Sequence, residues 1–239
     1  MRTPDYTELD RLFARWQRRY PFTAFIRDGI VDPARYDSPH ILFILRDKNQ
    51  DTPGDLCYDL REYGSGWKTW NNVGRWAKAL LDKNGEYPRN MSTEKRIEQL
   101  TRIAVLNLKK EGGGPRTIGA KLERAVQEQQ QEIREEIRLL APDLILCCGL
   151  PAAGMPANAE LLQRYIFPDE MLKIGQITSH IPGRAWPYYL LTLSGRSIPV
   201  VSFCHPQVTV LSRRRGHQEL FIPLYEDMLD IGRKFLSHS

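Results

Sequence analysis

Apolar positions along the chain follow two different periods. From residue 5 to about 19, Leu9, Leu12, Phe13 and Trp16 recur at helical spacing among polar residues, which predicts an amphipathic helix. A loop rich in Asp and Pro follows. The period then changes. Ile41-Leu42-Phe43-Ile44-Leu45 is apolar throughout and stops abruptly at Arg46-Asp47-Lys48-Asn49. Three further runs behave alike: Ile103–Leu106 stops at Asn107, Leu144–Cys148 at Gly149, and Pro199–Cys204 at His205-Pro206. Short runs of this kind read as strands buried on both faces, as in a parallel sheet.

Helical spacing returns between the runs. Val73, Trp76, Ala77, Leu80 and Leu81 predict one helix. Leu122, Val126, Ile133, Ile137 and Leu140 predict a single longer one, and Leu220, Phe221, Leu224, Met228 and Leu229 a last one. Residues 150–190 hold several Pro and Gly and one candidate strand at Tyr188–Leu193, and are expected to elaborate one domain spanning 1–239. Strands alternating with helices predict an α/β fold, a three-layer α/β/α sandwich around a central, mainly parallel four-stranded sheet.

Composition narrows this little: 41% hydrophobic and 26% charged residues are ordinary for a soluble globular chain. A net charge of +5 is a mild bias toward polyanions, with the tightest basic cluster at Arg213, Arg214 and Arg215. The polar opening MRTPDYTELD lacks the profile of a secretory leader, and no apolar run approaches the roughly 20 residues of a membrane span. The expectation is a soluble, cytoplasmic protein with no membrane partner. Of the four cysteines, Cys147, Cys148 and Cys204 read as small buried hydrophobes; no C-x-x-C pair occurs, so no metal site is expected.

In open α/β sheets the ligand site lies outside the carboxyl ends of the strands. Those ends carry Asp47, Asn49, Asn107, Lys109, Gly149 and His205. There is no dinucleotide fingerprint, no phosphate loop and no nucleophile elbow among them. An acid, two carboxamides and a histidine suit hydrolysis of an N-glycosidic bond. The amide reads a base edge, the carboxylate orients water and offsets positive charge on the sugar, and the histidine supports the departing base.

These segments resemble the uracil-DNA glycosylase superfamily over about residues 40–220. ILFILRDKNQDTPG is similar to its first motif, which assigns the water-positioning role to Asp47, with Asn49 as the alternative register. TWNNVGRWAKALLD resembles the following segment and nominates Trp70 to stack on the extruded base. IAVLNLKK nominates Asn107 to read the base edge. FCHPQVTVLSRRRGHQELF is similar to the histidine-proline motif and leucine loop. There His205 would support the leaving base, Leu211 would wedge into the duplex, and Ser212 with Arg213, Arg214 and Arg215 would hold phosphates, joined by Lys109. The chain departs from the family in its first loop, in two extra residues before Leu211-Ser212, and in lacking the iron–sulfur cysteines.

The resemblance implies a monomeric, monofunctional DNA glycosylase without cofactor or metal. It would act on DNA with an extruded base and leave an abasic site. The base would be uracil or another deaminated base, or a hypermodified cytosine of phage DNA such as glucosylated hydroxymethylcytosine. The alternative is a catalytically idle DNA- or partner-binding member; an enzyme of free nucleotides is a third reading. Each residue also has a plainer role open to it: His205 as a strand cap, Asp47 as a turn residue, Asn107 bonded to backbone, Trp70 in the core, and the arginine run as a solvated turn.

Overall fold

The computed structural model describes residues 4–48, 52–112, 118–152, 154–208 and 220–236. Helix α1 spans Tyr6–Arg19, capped by Asp5, whose side chain accepts the Glu8 N–H at 3.0 Å. It buries Leu9, Leu12, Phe13 and Trp16, the face its spacing predicts. The short strands β1 (Ile26–Arg27) and β2 (Gly29–Ile30) precede β3 (Ile41–Leu45), and β4 (Gly54–Asp55) pairs with β1. Helices α2 (Leu56–Tyr63), α3 (Lys68–Asp82) and α4 (Thr93–Leu100) lead to β5 (Ala104–Asn107). Helices α5 (Gly119–Glu128) and α6 (Gln130–Leu140) lead to β6 (Leu144–Cys148). After α7 (Asn158–Leu161) and a π-turn at Leu162–Ile166 come β7 (Met171–Thr178), β8 (Ala185–Leu193), β9 (Arg196–Phe203) and α8 (Phe221–Phe235).

The main sheet has the order β2-β5-β3-β6-β9-β8-β7. The four strands read from apolar runs are neighbours within it and run parallel. Strand alternation sends their side chains to two cores. Phe43, Leu45, Val105, Leu146 and Phe203 pack under α2, α3 and α8, while Leu42, Ile44, Leu106, Ile145 and Val200 pack under α1, α5, α6 and α7. Every residue of β3 and β6 is buried, and each fully buried large apolar side chain contributes about 1.5–3 kcal/mol.

The sheet is larger than expected: seven strands and mixed, where the apolar runs predict four. β2 is two residues long and antiparallel to β5. β7 and β8 form an antiparallel extension beyond β9, and β7 buries little more than Met171 and Ile177, so it carries no apolar run. The expected long helix over 122–140 is two helices. Gln129 leaves helical geometry (φ −111°, ψ 20°), and its side-chain oxygen accepts the buried Trp16 Nε1–H at 3.1 Å. The apolar spacing carries through the break because both helices cover the same sheet face. No helix of the described residues is long and apolar enough to cross a membrane.

One cluster in the α1 side of the core is ionic. The Lys110 ammonium, fully buried, lies 2.5 Å from Asp28 Oδ1 and 2.7 Å from Glu136 Oε2, under the rings of Phe13 and Trp16. Neither Glu136 oxygen is in an aligned hydrogen bond. Burial, and then the charge of Asp28, push the Glu136 carboxyl well above its ordinary range, against the opposing pull of Lys110. A carboxyl whose pKa is raised by folding contributes stability that is complete below its unfolded value near 4.5 and is lost as pH rises toward the folded value. Glu136→Gln mimics the protonated form, so relative to the variant the native chain should lose stability as pH rises above about 4.5, read by urea denaturation across pH. Parallel profiles for the two proteins would refute the assignment.

Candidate functional site

The chain leaves β3 toward β5 through helices on one face, then crosses back through α5 and α6 on the other face to β6, and continues by α7 on that same face. The loops leaving β3 and β6 therefore diverge, which makes the carboxyl ends of these neighbours the switch point of the sheet. Asn107 ends β5 on one side of it, and His205 follows β9 on the other. Three interstrand steps of about 4.8 Å separate their backbones, a span of roughly 14 Å.

The crevice is built by a buried carboxamide. Asn158 Nδ2 donates to Ile44 O at 3.2 Å and to Cys148 O at 3.1 Å, joining the ends of β3 and β6. Its Oδ1 accepts Arg46 Nε–H at 3.2 Å, and Arg46 Nη2 donates to Leu150 O at 2.8 Å. A β-carbon on Gly149 would lie 2.6 Å from Asn158 Oδ1 and 3.0 Å from Arg46 Nε, so only glycine leaves room for this arrangement. The guanidinium is thus fixed in plane with Nη1 free of hydrogen bonds among the described residues, and it makes no ion pair there. Burial lowers its pKa, while the neighbouring Asp47 charge opposes the shift.

His205 lies close enough to feel this cation. Burial, and second the Arg46 charge, lower its pKa to about 4, so the ring is neutral at physiological pH. Its Nδ1 accepts the Gln207 N–H at 3.2 Å, which leaves the single ring proton on Nε2. The loop is anchored by Asn72 of α3, whose Nδ2 donates to Pro206 O at 2.6 Å.

Asn107 is the last residue of β5. Its backbone N–H goes to Asp28 Oδ2 at 2.6 Å, while its side-chain Nδ2 is buried with no hydrogen-bond partner among the described residues. It pairs in register with Leu45 and lies two residues beyond Val105, on the face covered by α3, where Trp70 is packed into the core at 8% exposure. Asp47 is partly exposed on the loop after Arg46. The Lys109 ammonium is taken up locally, by Glu111 O at 2.8 Å and Gly112 O at 3.0 Å. Asn49, Leu211, Ser212, Arg213, Arg214 and Arg215 lie outside the described residues.

The sheet edge therefore carries Asn107, Asp47 and His205 at the carboxyl ends of β5, β3 and β9. It adds Arg46, Asn72 and Asn158, which sequence reasoning missed, and gives Gly149, already placed at a strand end, a steric role. An arginine after an apolar run reads as a solvated stop, and Asn158 sits in the Pro/Gly-rich stretch where no period marks it. The four cysteines are free and buried; burial pushes the Cys204 thiol up to about 12 and the other three upward as well. Among the described residues no group of His, Cys, Asp and Glu is placed to hold a metal ion. No family model and no curated protein matches this sequence.

The electrostatics can be read directly by imidazole ¹⁵N NMR. His205 should titrate at about 4 and stand as the Nε2–H tautomer at pH 7. Arg46→Met should raise that midpoint only part of the way to 6.5, because burial is the larger cause. A native midpoint near 6.5 would exclude this environment.

Proposed function

We propose that the protein is a DNA glycosylase related to the uracil-DNA glycosylase superfamily, acting as a cytoplasmic monomer through a three-layer α/β/α fold. The observation that carries the reading is the unpaired donor set along one sheet edge. Asn107 Nδ2 has no described partner, His205 is neutral with its proton on Nε2, and Arg46 has no described ion pair. A buried donor without a partner costs about 1–3 kcal/mol, which argues that a ligand acceptor completes it. The base edge of a pyrimidine, rich in carbonyl oxygens, has that complementarity.

Hydrolysis then runs as follows. Water oriented by Asp47 attacks C1′ of the extruded nucleotide and passes its proton to the carboxylate or solvent. The C1′–N bond breaks with its electron pair leaving on the base. Negative charge gathers on the base oxygen that faces His205 Nε2–H, a donor aimed where charge develops. A neutral imidazole suits this role because it need not be deprotonated at physiological pH. Arg46, beside it, adds positive potential to the same region. Trp70 walls the pocket, and the 211–215 segment grips the duplex. Uracil and hypermodified cytosines both remain within this reading.

The test is base release, read as alkali-labile sites, from three substrates: a uracil-containing duplex, its single strand, and glucosylated hydroxymethylcytosine DNA. His205→Ala and Asn107→Ala should each lower turnover by about 10²–10³, and Asp47→Asn should abolish detectable release, while DNA affinity changes only a few-fold. Because the neutral ring is the working form, His205 should impose no loss of rate between pH 8 and 5, and a fall only as pH approaches about 4. DNA binding without Asp47-dependent release from any substrate would replace the enzyme with an idle DNA-binding relative.

A further inference from the structure

The strongly exposed aromatic side chains of the described residues are gathered in one place. Tyr58 is 47% exposed, Tyr63 62% and Trp67 66%, all within ten residues spanning α2 and the start of α3. The rings of Tyr58 and Tyr63 meet edge to face, with centroids 6.1 Å apart, and the Arg61 guanidinium lies 6.0 Å from the Tyr58 centroid. The turn between the tyrosine pair and Trp67 is held firmly. Gly64 takes the left-handed conformation (φ 59°), and its carbonyl accepts Arg96 Nε–H at 2.9 Å. Arg96 also reaches Asn71 Oδ1, on the first turns of α3, at 2.5 Å. Trp67 itself caps α3, its carbonyl accepting the N–H groups of Trp70 and Asn71.

The aromatic surface adjoins the candidate site by two tethers. Lys48, on the loop leaving β3, is paired with Asp59 of α2 at 2.5 Å, and Asn72 of α3 holds the carbonyl next to His205. Lys68, beside Trp67, is exposed and has no ion pair among the described residues. No exposed large aliphatic side chain accompanies the rings in this stretch. Rings that offer π-faces next to an uncompensated cation match nucleobases carried on a phosphate backbone better than the mixed aliphatic core of a protein interface.

We propose that Tyr58, Tyr63 and Trp67 form a stacking platform for unpaired DNA nucleotides flanking the one held at the sheet edge, with Lys68 directed to their phosphates. The proposal rests on the nucleic-acid reading of that edge, but not on base excision itself. It implies engagement of single-stranded DNA with little regard to sequence, since every base has a π-face.

Trp67 provides its own probe. The other four tryptophans are buried at 8% exposure or less, so a solvent-exposed emission component belongs to Trp67. Titrating the full chain with an oligothymidylate at low salt should quench that component. Trp67→Ala should remove the quench and weaken oligothymidylate binding about tenfold. Trp67→Phe should remove the quench yet keep most of the affinity. Circular dichroism and melting of both variants should match the native chain, since the capping bonds at residue 67 are made by backbone. Binding without quenching, equal affinity of Trp67→Ala, or no oligothymidylate binding at all would each overturn the platform, even if duplex DNA is still cut. Quenching with no base release from any substrate would keep the platform and sink the glycosylase.

Discussion

Where β3 and β6 end side by side, the carbonyls of Ile44 and Cys148 stand as acceptors for one side chain. The carboxamide of Asn158 donates to both from one nitrogen and spends its oxygen on Arg46. A buried polar group is tolerable only when it is satisfied. Here the satisfaction also fixes the Arg46 guanidinium at the crevice. The absence of a side chain at Gly149 is part of the same arrangement, since a β-carbon would fall on the amide oxygen. The chemistry of the edge thus depends on a bond network that closes the sheet's own backbone.

From that fixture follows an uneven distribution of charge. Arg46 is held near His205, and burial together with that cation keeps the imidazole neutral. The ring's orientation comes from its own loop, through Gln207 N–H, and from α3, through Asn72. Asn107 is presented differently: its backbone is tied to Asp28 while its amide nitrogen has no described partner. Rigid backbones thus hold both side chains at the strand ends.

The parts of this structure legible in the sequence are those with an uninterrupted period. Ile41–Leu45 and Leu144–Cys148 are buried on both faces, so every residue had to be apolar. β7 sits at the sheet edge with Leu172 and Ile174 exposed and a register shift between Lys173 and Gly175, so its pattern is neither alternating nor continuous. Gln129 breaks a helix for a partner, Trp16, that lies 113 residues away. The site divides in the same way. Asn107 and His205 stand where polar residues interrupt strand ends and are visible there. Arg46 and Asn158 acquire meaning only from each other, across 112 residues that no local period connects.

The buried Lys110 cluster draws on three distant stretches: Asp28 before β2, Lys110 after β5, and Glu136 in α6. Until all three meet, an ammonium would enter a dry interior beneath Phe13 and Trp16 without the Asp28 charge and the Glu136 oxygen that meet it in the fold, at a cost of several kcal/mol. A partly docked form, with the N-terminal helix seated but α6 displaced, is therefore heavily penalised. Assembly of this side of the sheet is for that reason close to all-or-none, and Asn107, tethered through Asp28, reaches its place at the end of β5 only in chains that have completed it.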